Sequence, residues 1–526
     1  MYFLKILIGK TYFFISTYSS KYLSKYLIFM KKCNLTLEMF MRNFLYIFIF
    51  TFLSFFIFPN FSRAATSVSQ YGITWTFDKN YTVGQFINGD YWVLDPGDGV
   101  KVVDISPGYT THPTTGRAMN GSMINPATAL QGYDGFMSYS ADKNVGIGIT
   151  QINPLILSGD KSLVSTISND SCGDLGGGNH VSYVKTAAVL TSLVNIPSEG
   201  SFRPGISAET KTLHNFNDVD FSKLKSLPSP ITKIDINIYA GYFQMVWLDH
   251  NGGWTTRYMH PSDSGLGNYY FPLTFSTVAL MLHLDYSNQE KEALLRNFIQ
   301  FGIDIYSYIE SGAKGWGPDG GHSNGRKWPI LFAGLMLDYA PMKNIGQKSG
   351  DYLYFEDYGP GNIPPDYIHF GGEDGQTFYV EQLDVDITNS PSWNPDVRSA
   401  PNYPYSNLML GMPEWGIRHS TSPAQSDSAW NANYRTIMSG PSSWAGTSVA
   451  ARLMNAKELW NNNAHFDYVD RYMAISKGDP DPFGYIVSGE GVGSRPGGLI
   501  GAMWDTYRDD FYPTVGPDNP IGLSVL

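Results

Sequence analysis

The sequence predicts a multidomain α+β protein: an N-terminal antiparallel β-sandwich-like domain followed by an α/α toroid, an incomplete barrel of helical hairpins. Three observations point there. Turn residues recur roughly every six to ten positions through the first part of the chain, with short β-prone runs between them. Farther on, apolar residues change to steps of three and four, the period of an amphipathic helix. The length of 526 residues, with 43% hydrophobic and 15% aromatic content, exceeds one ordinary core and excludes disorder as the default.

Residues 1–64 read as a leader and signal peptide. Residues 44–58, FLYIFIFTFLSFFIF, are almost wholly apolar, follow Arg42, and precede Pro59 and the small-x-small triplet Ser62-Arg63-Ala64. That run falls short of the about twenty residues a spanning helix needs. A signal peptide beginning at Met41 makes Met41 the expected start. It leaves the lysines at 5, 10, 21, 25, 31 and 32 unexplained, and an uncleaved membrane anchor is the competing reading. The expectation is a secreted or periplasmic protein that meets a membrane only if the leader is retained.

Without residues 1–64 the chain keeps 28 Lys and Arg against 46 Asp and Glu, a net charge of −18. Such a balance excludes nucleic acid as a partner, because phosphate binding calls for clustered basic surface. An acidic ligand then needs a local basic pocket. Of the two cysteines only Cys172 lies beyond the leader, so no intramolecular disulfide is available.

Residues 65–200 form the expected β domain, with runs such as ITWTF (73–77), YWVL (91–94), VKVVDI (100–105) and the alternating stretch 184–194. Three polar, glycine-containing loops interrupt it: Asn88-Gly89-Asp90, Arg117-Ala118-Met119-Asn120-Gly121-Ser122 and Gly176-Gly177-Gly178-Asn179-His180. Asn-Gly before a strand is first of all a hairpin signal. Residues 201–230, with SEGSFRPG just at their start and LPSP at their end, read as a linker.

Residues 231–526 form the expected helical domain. Leu294, Leu295, Phe298, Ile299, Gly302, Ile305, Tyr306 and Ile309 make one stripe, and Ser287 with Glu290 is a capping box ahead of it. Segments 275–284 and 329–337 read as partner helices. Val449, Leu453, Ala456, Leu459 and Trp460, then Phe466, Val469 and Met473, mark a second group. Antiparallel pairs joined by short polar turns predict a toroid, with a plain bundle as the alternative. The stretch 351–413, rich in Tyr, Pro, Gly and Asp, predicts long loops, which in a compact domain are usually functional.

Three clusters carry chemistry. In residues 315–338, GWGPDGGHSNGRKWPILFAGLMLD, a glycine-rich loop runs into a helix and holds Trp316, Asp319, His322, Asn324, Arg326 and Lys327. Its glycines let backbone approach a ligand, its His titrates near neutrality and its Arg offers a planar fork for a carboxylate. Residues 247–270 gather Asp249, His250, Trp254, Arg257, Tyr258, His260, Tyr269 and Tyr270, aromatic faces beside charged forks, as a cleft for acidic sugars requires. Residues 415–444 add Arg418, His419, Trp430, Tyr434 and Arg435, where a cation can lower the neighbouring phenol. Each cluster also has a purely structural reading as packing between helices. No P-loop or HExxH occurs, and neither a cofactor nor a metal is expected. Asp319, Glu373, Asp374 and Glu414 are candidate acids for glycoside hydrolysis.

The segments GGHSNGRKWPILFAG (320–334), WLDHNGGWTTRYMHP (247–261) and WAGTSVAARLMNAKELW (444–460) give the chain a resemblance to exported polysaccharide lyases, the alginate lyase and heparinase II/III-like enzymes with an α/α toroid. The β domain precedes the helices here, which departs from that group's order. The resemblance implies β-elimination on a uronate polymer. Its carboxylate must be neutralised, a base must take the C5 proton, and an acid must protonate the leaving oxygen. On that template Arg326 and Asn324 lie near the carboxylate, His322 is neutraliser or base, and Tyr258 or Tyr434 is acid or base. Arg257, His260, Trp254, Tyr270, Lys327, Trp316, Arg435 and His419 would bind flanking sugars. A glycoside hydrolase on the same toroid and a non-catalytic glycan-binding surface protein are the rival expectations.

Overall fold

The computed structural model describes residues 62–127, 130–135, 138–170, 183–250, 267–316, 324–349, 366–370, 373–374, 377–382, 385–386, 389, 405–415, 440–481, 483 and 495–511. Ten strands come first: β1 (Arg63–Gln70), β2 (Ile73–Gln85), β3 (Tyr91–Leu94), β4 (Val100–Ser106), β5 (Thr110–Thr111), β6 (Ala118–Met119), β7 (Ser122–Ile124), β8 (Leu155–Leu157), β9 (Lys161–Ser168) and β10 (Val184–Leu193). Eight of them form one sheet in the order β7-β9-β10-β3-β2-β4-β8, with β1 beside β2, while β5 and β6 pair separately.

The long strand β2 organises this sheet. Its first half pairs with β4 and its second half with β3, and Asp78, Lys79 and Asn80 between the halves are exposed. Irregularities at Ala65/Ser67 and Thr76/Phe77 add bends, since an extra residue turns a strand and increases its twist. The sheet therefore curls around its own apolar face. Ile73, Trp75 and Val83 of β2, Val102 of β4, Leu163 of β9 and Leu190 of β10 fill that interior. The Trp75 indole reaches across to donate to the Ser165 hydroxyl of β9 at 3.0 Å. Alternation sends Val164, Ala187 and Val189 to the opposite face, where they pack with Tyr133, Ile206, Val246 and Leu248. The pairing is antiparallel except between β10 and β3, which run parallel. The Asn88-Gly89 turn closes β2 onto β3, with Gly89 at φ +91°.

Residues 201–208, within the stretch that reads as a linker, are all buried. They form a strap along the helices: the Ser207 amide donates to the Ser307 hydroxyl at 3.1 Å, and the Ser207 hydroxyl donates to the Pro126 carbonyl. Arg203 lies at its centre, with Nε 2.5 Å from Asp90 and two nitrogens on Asp304 at 2.8 and 2.5 Å. One buried cation thus joins the β2–β3 turn, the strap and a helix.

The helices are α1 (Ile236–Tyr242), α2 (Gly267–Met281), α3 (Asn288–Glu310), α4 (Lys327–Met336), α5 (Ala340–Lys343), α6 (Gly440–Leu453), α7 (Lys457–Trp460), α8 (Asn463–Lys477) and α9 (Gly498–Phe511). The chain is a mixed α+β protein, and Ser62–Leu526 is one compact unit. The capping box forms as the sequence predicts: the Glu290 amide donates to Ser287 Oγ, and the Ser287 amide donates to the Glu290 carboxylate at 2.7 Å. In the shared helical core α2 packs on α6, α3 on α4, and α6 also on α8 and α9. Phe243, Trp247, Phe275, Phe298 and Phe301 form a continuous ring cluster, with Phe243 stacked on Trp247 at 4.9 Å. Among the described residues no helix is long and apolar enough to cross a membrane.

Gly302 sets the approach of α3 to α4. A Cβ there would overlap the Pro329 carbonyl oxygen and lie 2.7 Å from the Ala333 Cβ. Gly302→Ala is expected to lower the unfolding free energy by about 1–3 kcal/mol, as overpacking does, and urea denaturation measures it.

Candidate functional site

The glycine-rich loop ends in described backbone at Asn324, just where α4 begins. All of Asn324, Arg326 and Lys327 are buried there. The four following residues share the reason: Trp328, Pro329, Ile330 and Leu331 carry the apolar face of α4 into the core and draw the polar residues before them inward.

Three carboxylates from elsewhere meet this loop end. Asp249 accepts both Nε and Nη2 of Arg326, at 2.9 and 3.1 Å, while Nη1 donates to the Asn324 carbonyl at 2.7 Å. Glu373 accepts the Gly325 amide at 2.6 Å. Asp374 takes the Lys327 ammonium through both oxygens at 2.8 Å. Two pairs of short strands bracket Glu373 and Asp374. β11 (Gly315–Trp316) pairs in parallel with β12 (His369–Phe370), and β13 (Thr377–Tyr379) pairs with β14 (Pro413–Trp415). From the start of α8, the capping residue Asn462 donates to the Glu373 carbonyl at 3.2 Å, to Asp374 at 3.3 Å and to the Thr377 hydroxyl at 3.1 Å.

The electrostatics single out Glu373. Burial, and after it the neighbouring Asp374, push its carboxyl up to about 7, against the amide bonds and Arg326 that favour the anion. Among the described residues one of its oxygens, Oε2, has no hydrogen-bond partner, and neither has the amide oxygen of Asn324. A carboxyl that exchanges its proton near neutrality, beside unpaired polar atoms, is suited to proton transfer or to sharing a proton with an anion.

Two further layers surround this centre. The Lys327 ammonium lies 5.8 Å from the centre of Phe370 and 5.4 Å from that of Trp460, whose ring stacks on His465 at 4.8 Å. Burial, then Lys327 and Arg452, hold His465 well below its usual value, so it stays neutral. Next to Asp249, the His250 Nε2 meets the Tyr133 hydroxyl at 3.2 Å, and burial holds that phenol well above its usual value. Tyr133 reaches this position from the loop on the outer face of the sheet.

The predicted site residues divide accordingly. Arg326 and Asn324 come together with the acids, but the Arg326 fork is closed on Asp249, so its work is to fix the loop. Lys327 is likewise spent on Asp374 and fully buried, which leaves no ammonium for a flanking sugar. Trp316 is a core ring, stacked on Phe370 at 5.8 Å, because parallel pairing of β11 with β12 lays the two side by side. Asp374 and Glu373 join the site; Glu414 lies in a separate buried group, 3.8 Å from Arg471, which also holds Asp481. His322, Tyr258, Tyr434, Arg257, His260, Trp254, Arg435, His419 and Asp319 lie outside the described residues, as does the side chain of Tyr270. Among the described residues no group of three His, Cys, Asp or Glu is placed to hold a metal ion. Comparisons with protein-family models, curated proteins and solved structures give no match.

Proposed function

We propose that the chain is a secreted polysaccharide lyase that opens a uronate-containing, alginate-like polymer by β-elimination. The observation that carries this reading is the buried Glu373 carboxyl, raised to about 7, with one oxygen on the Gly325 amide and the other unpartnered among the described residues. Elimination needs the substrate carboxylate neutralised before the C5 proton can leave, and a carboxyl that keeps its proton near neutrality supplies that by sharing it. Buried ion pairs add little stability of their own, so the pairs gathered at one loop end are better understood as fixing geometry. His322 and Tyr258 or Tyr434 remain the proposed base and acid, and Arg326 positions the loop that carries His322. In this reading the helices form an incomplete α/α toroid and the curled sheet is its sandwich-like companion domain.

A second reading rests on the same carboxyl. A raised Glu373 also suits the general acid of a glycoside hydrolase, with Asp319 of the glycine-rich loop as the candidate counterpart. A non-catalytic glycan binder is the third outcome.

Purified protein assayed against alginate, glucuronan, ulvan, pectate and glycosaminoglycans identifies the polymer. On that polymer, Asn324→Ala and His322→Ala are each expected to lower kcat about a hundredfold, the usual loss for a group that stabilises developing charge. Full activity in both variants would overturn the assignment, and binding of every polymer without depolymerisation would place the chain with glycan binders.

A further inference from the structure

A second concave site lies on the β half, built by the Arg117 loop. It is a cavity of about 530 Å³, within the range of about 300–1,000 Å³ typical of small-molecule sites. Tyr109, Tyr139 and Tyr183 line it together with His112, Arg117 and Asp170.

The walls are fixed before any ligand arrives. β5 and β6 pair as Thr110 with Met119 and Thr111 with Ala118, and the turn between them is closed by the His112 amide on the Arg117 carbonyl at 2.8 Å. His112 Nδ1 accepts the amides of Thr114 and Thr115 at 3.3 and 3.2 Å, which puts the proton of the neutral ring on Nε2. Arg117 places one nitrogen against both oxygens of the buried Asp134 at 2.8 Å and another on the Asn169 carbonyl. Gln131 in turn donates to the Asp134 carbonyl at 2.7 Å. Such preorganisation removes ordering costs that binding would otherwise carry.

Charge and shape limit what fits. The Arg117 cation is neutralised by Asp134, and the remaining full charge among the lining residues is the exposed Asp170 carboxylate. An anionic sugar is therefore disfavoured. The three phenol rings that line the cavity offer flat apolar faces, each with a hydroxyl at its tip. A carboxylate, a hydroxyl and a ring N–H around aromatic faces match a ligand that is apolar on its faces and rich in hydroxyls at its edges.

We propose that this cavity is a binding site for a neutral saccharide unit, separate from the acidic-polymer site at Glu373. The pocket anchors the protein on an uncharged glycan, and its function does not depend on what the Glu373 site catalyses.

Isothermal titration of the full chain with cellohexaose, xylohexaose, mannohexaose and chitohexaose, and with an oligoalginate hexamer, tests this. At least one neutral hexasaccharide is expected to bind saturably. Tyr109→Ala and Tyr139→Ala, both at half-exposed positions, are expected to weaken it at least tenfold, with thermal melts showing that both variants fold. Glu373→Gln is expected to bind it as the wild type does, so failure of the lyase reading leaves this result intact. The proposal is overturned if no neutral hexasaccharide binds, if binding survives both tyrosine substitutions, or if those substitutions instead abolish binding of the acidic hexamer.

Discussion

Replacing Arg203 with alanine is expected to lower the unfolding free energy by about 3–5 kcal/mol, the loss that follows when one partner of a buried ion pair is removed. The guanidinium is almost fully enclosed and answers two buried carboxylates, Asp90 and Asp304. Burial alone would lower its proton affinity, but Asp304 first and Asp90 next hold it above its ordinary value. Without it, two acids are left in low dielectric with only neutral donors, Asn88 and Gln70 on Asp90. They must then either carry uncompensated charge or take up protons. The junction holds further contacts that the substitution leaves in place: Gln300 of α3 donates to the Arg203 carbonyl at 2.9 Å, and just past the strap lies Lys211, whose ammonium burial pushes down to about 7. Urea denaturation at neutral pH measures the loss. A change within about 0.5 kcal/mol, the range of an ordinary surface substitution, would mean the triad is not the junction between sheet and helices.

Glu373→Gln is expected to stabilise the protein above neutral pH by about 3 kcal/mol and to change little near pH 4, because each tenfold gain in proton affinity on folding corresponds to about 1.4 kcal/mol. The sign follows from the proton count. The carboxyl titrates near 4.5 in the unfolded chain and at about 7 in the fold. Between those values the folded state holds a proton the unfolded state has lost, so stability is full below about 4.5, falls as pH rises, and levels off above about 7. Glutamine never ionises and escapes the cost. The same variant separates the two catalytic readings. If a neutral Glu373 only shields the substrate carboxylate, wild-type activity declines above pH 7 and the glutamine variant retains activity there. If Glu373 is a general acid, glutamine abolishes turnover at every pH. Melting curves and rates across pH 4–9 give both readouts.

Much of the fold was legible because it depends on neighbours in sequence. The Ser287–Glu290 box, the stripe from Leu294 to Ile309 and the Asn88-Gly89 turn each follow from local chemistry, and each forms. The curl of the sheet was less legible. Its cause is that β2 serves β4 with one half and β3 with the other, a tertiary choice that alternation in ITWTF does not encode. Helix α9 was overlooked although Leu499, Ile500, Met503 and Trp504 are spaced for one buried face. The strap was hidden by its own composition, since SEGSFRPG has the polar, proline-marked look of a linker while Arg203 within it is buried by acids 113 and 101 residues away.

The candidate site divides along the same line. Residue types and glycine spacing marked the loop before α4, and Glu373 and Asp374 were named as candidate acids, while Asp249 stood in a separate cluster. That Asp249 would occupy the Arg326 fork from 77 residues away left no trace in either local pattern. The sequence therefore indicated substrate contacts for Arg326 and Lys327, where the fold uses both as internal supports. Tyr133, which meets His250 from the sheet side, gave no signal, because a lone tyrosine in a loop of the β half has no periodicity to betray it.

The most direct test of the central claim is the chemistry of the product. Wild-type protein incubated with alginate, glucuronan or pectate is expected to release fragments that absorb near the ultraviolet edge, the mark of a C4–C5 double bond, in proportion to new chain ends. New reducing ends without that absorbance would contradict β-elimination and assign the Glu373 site to hydrolysis.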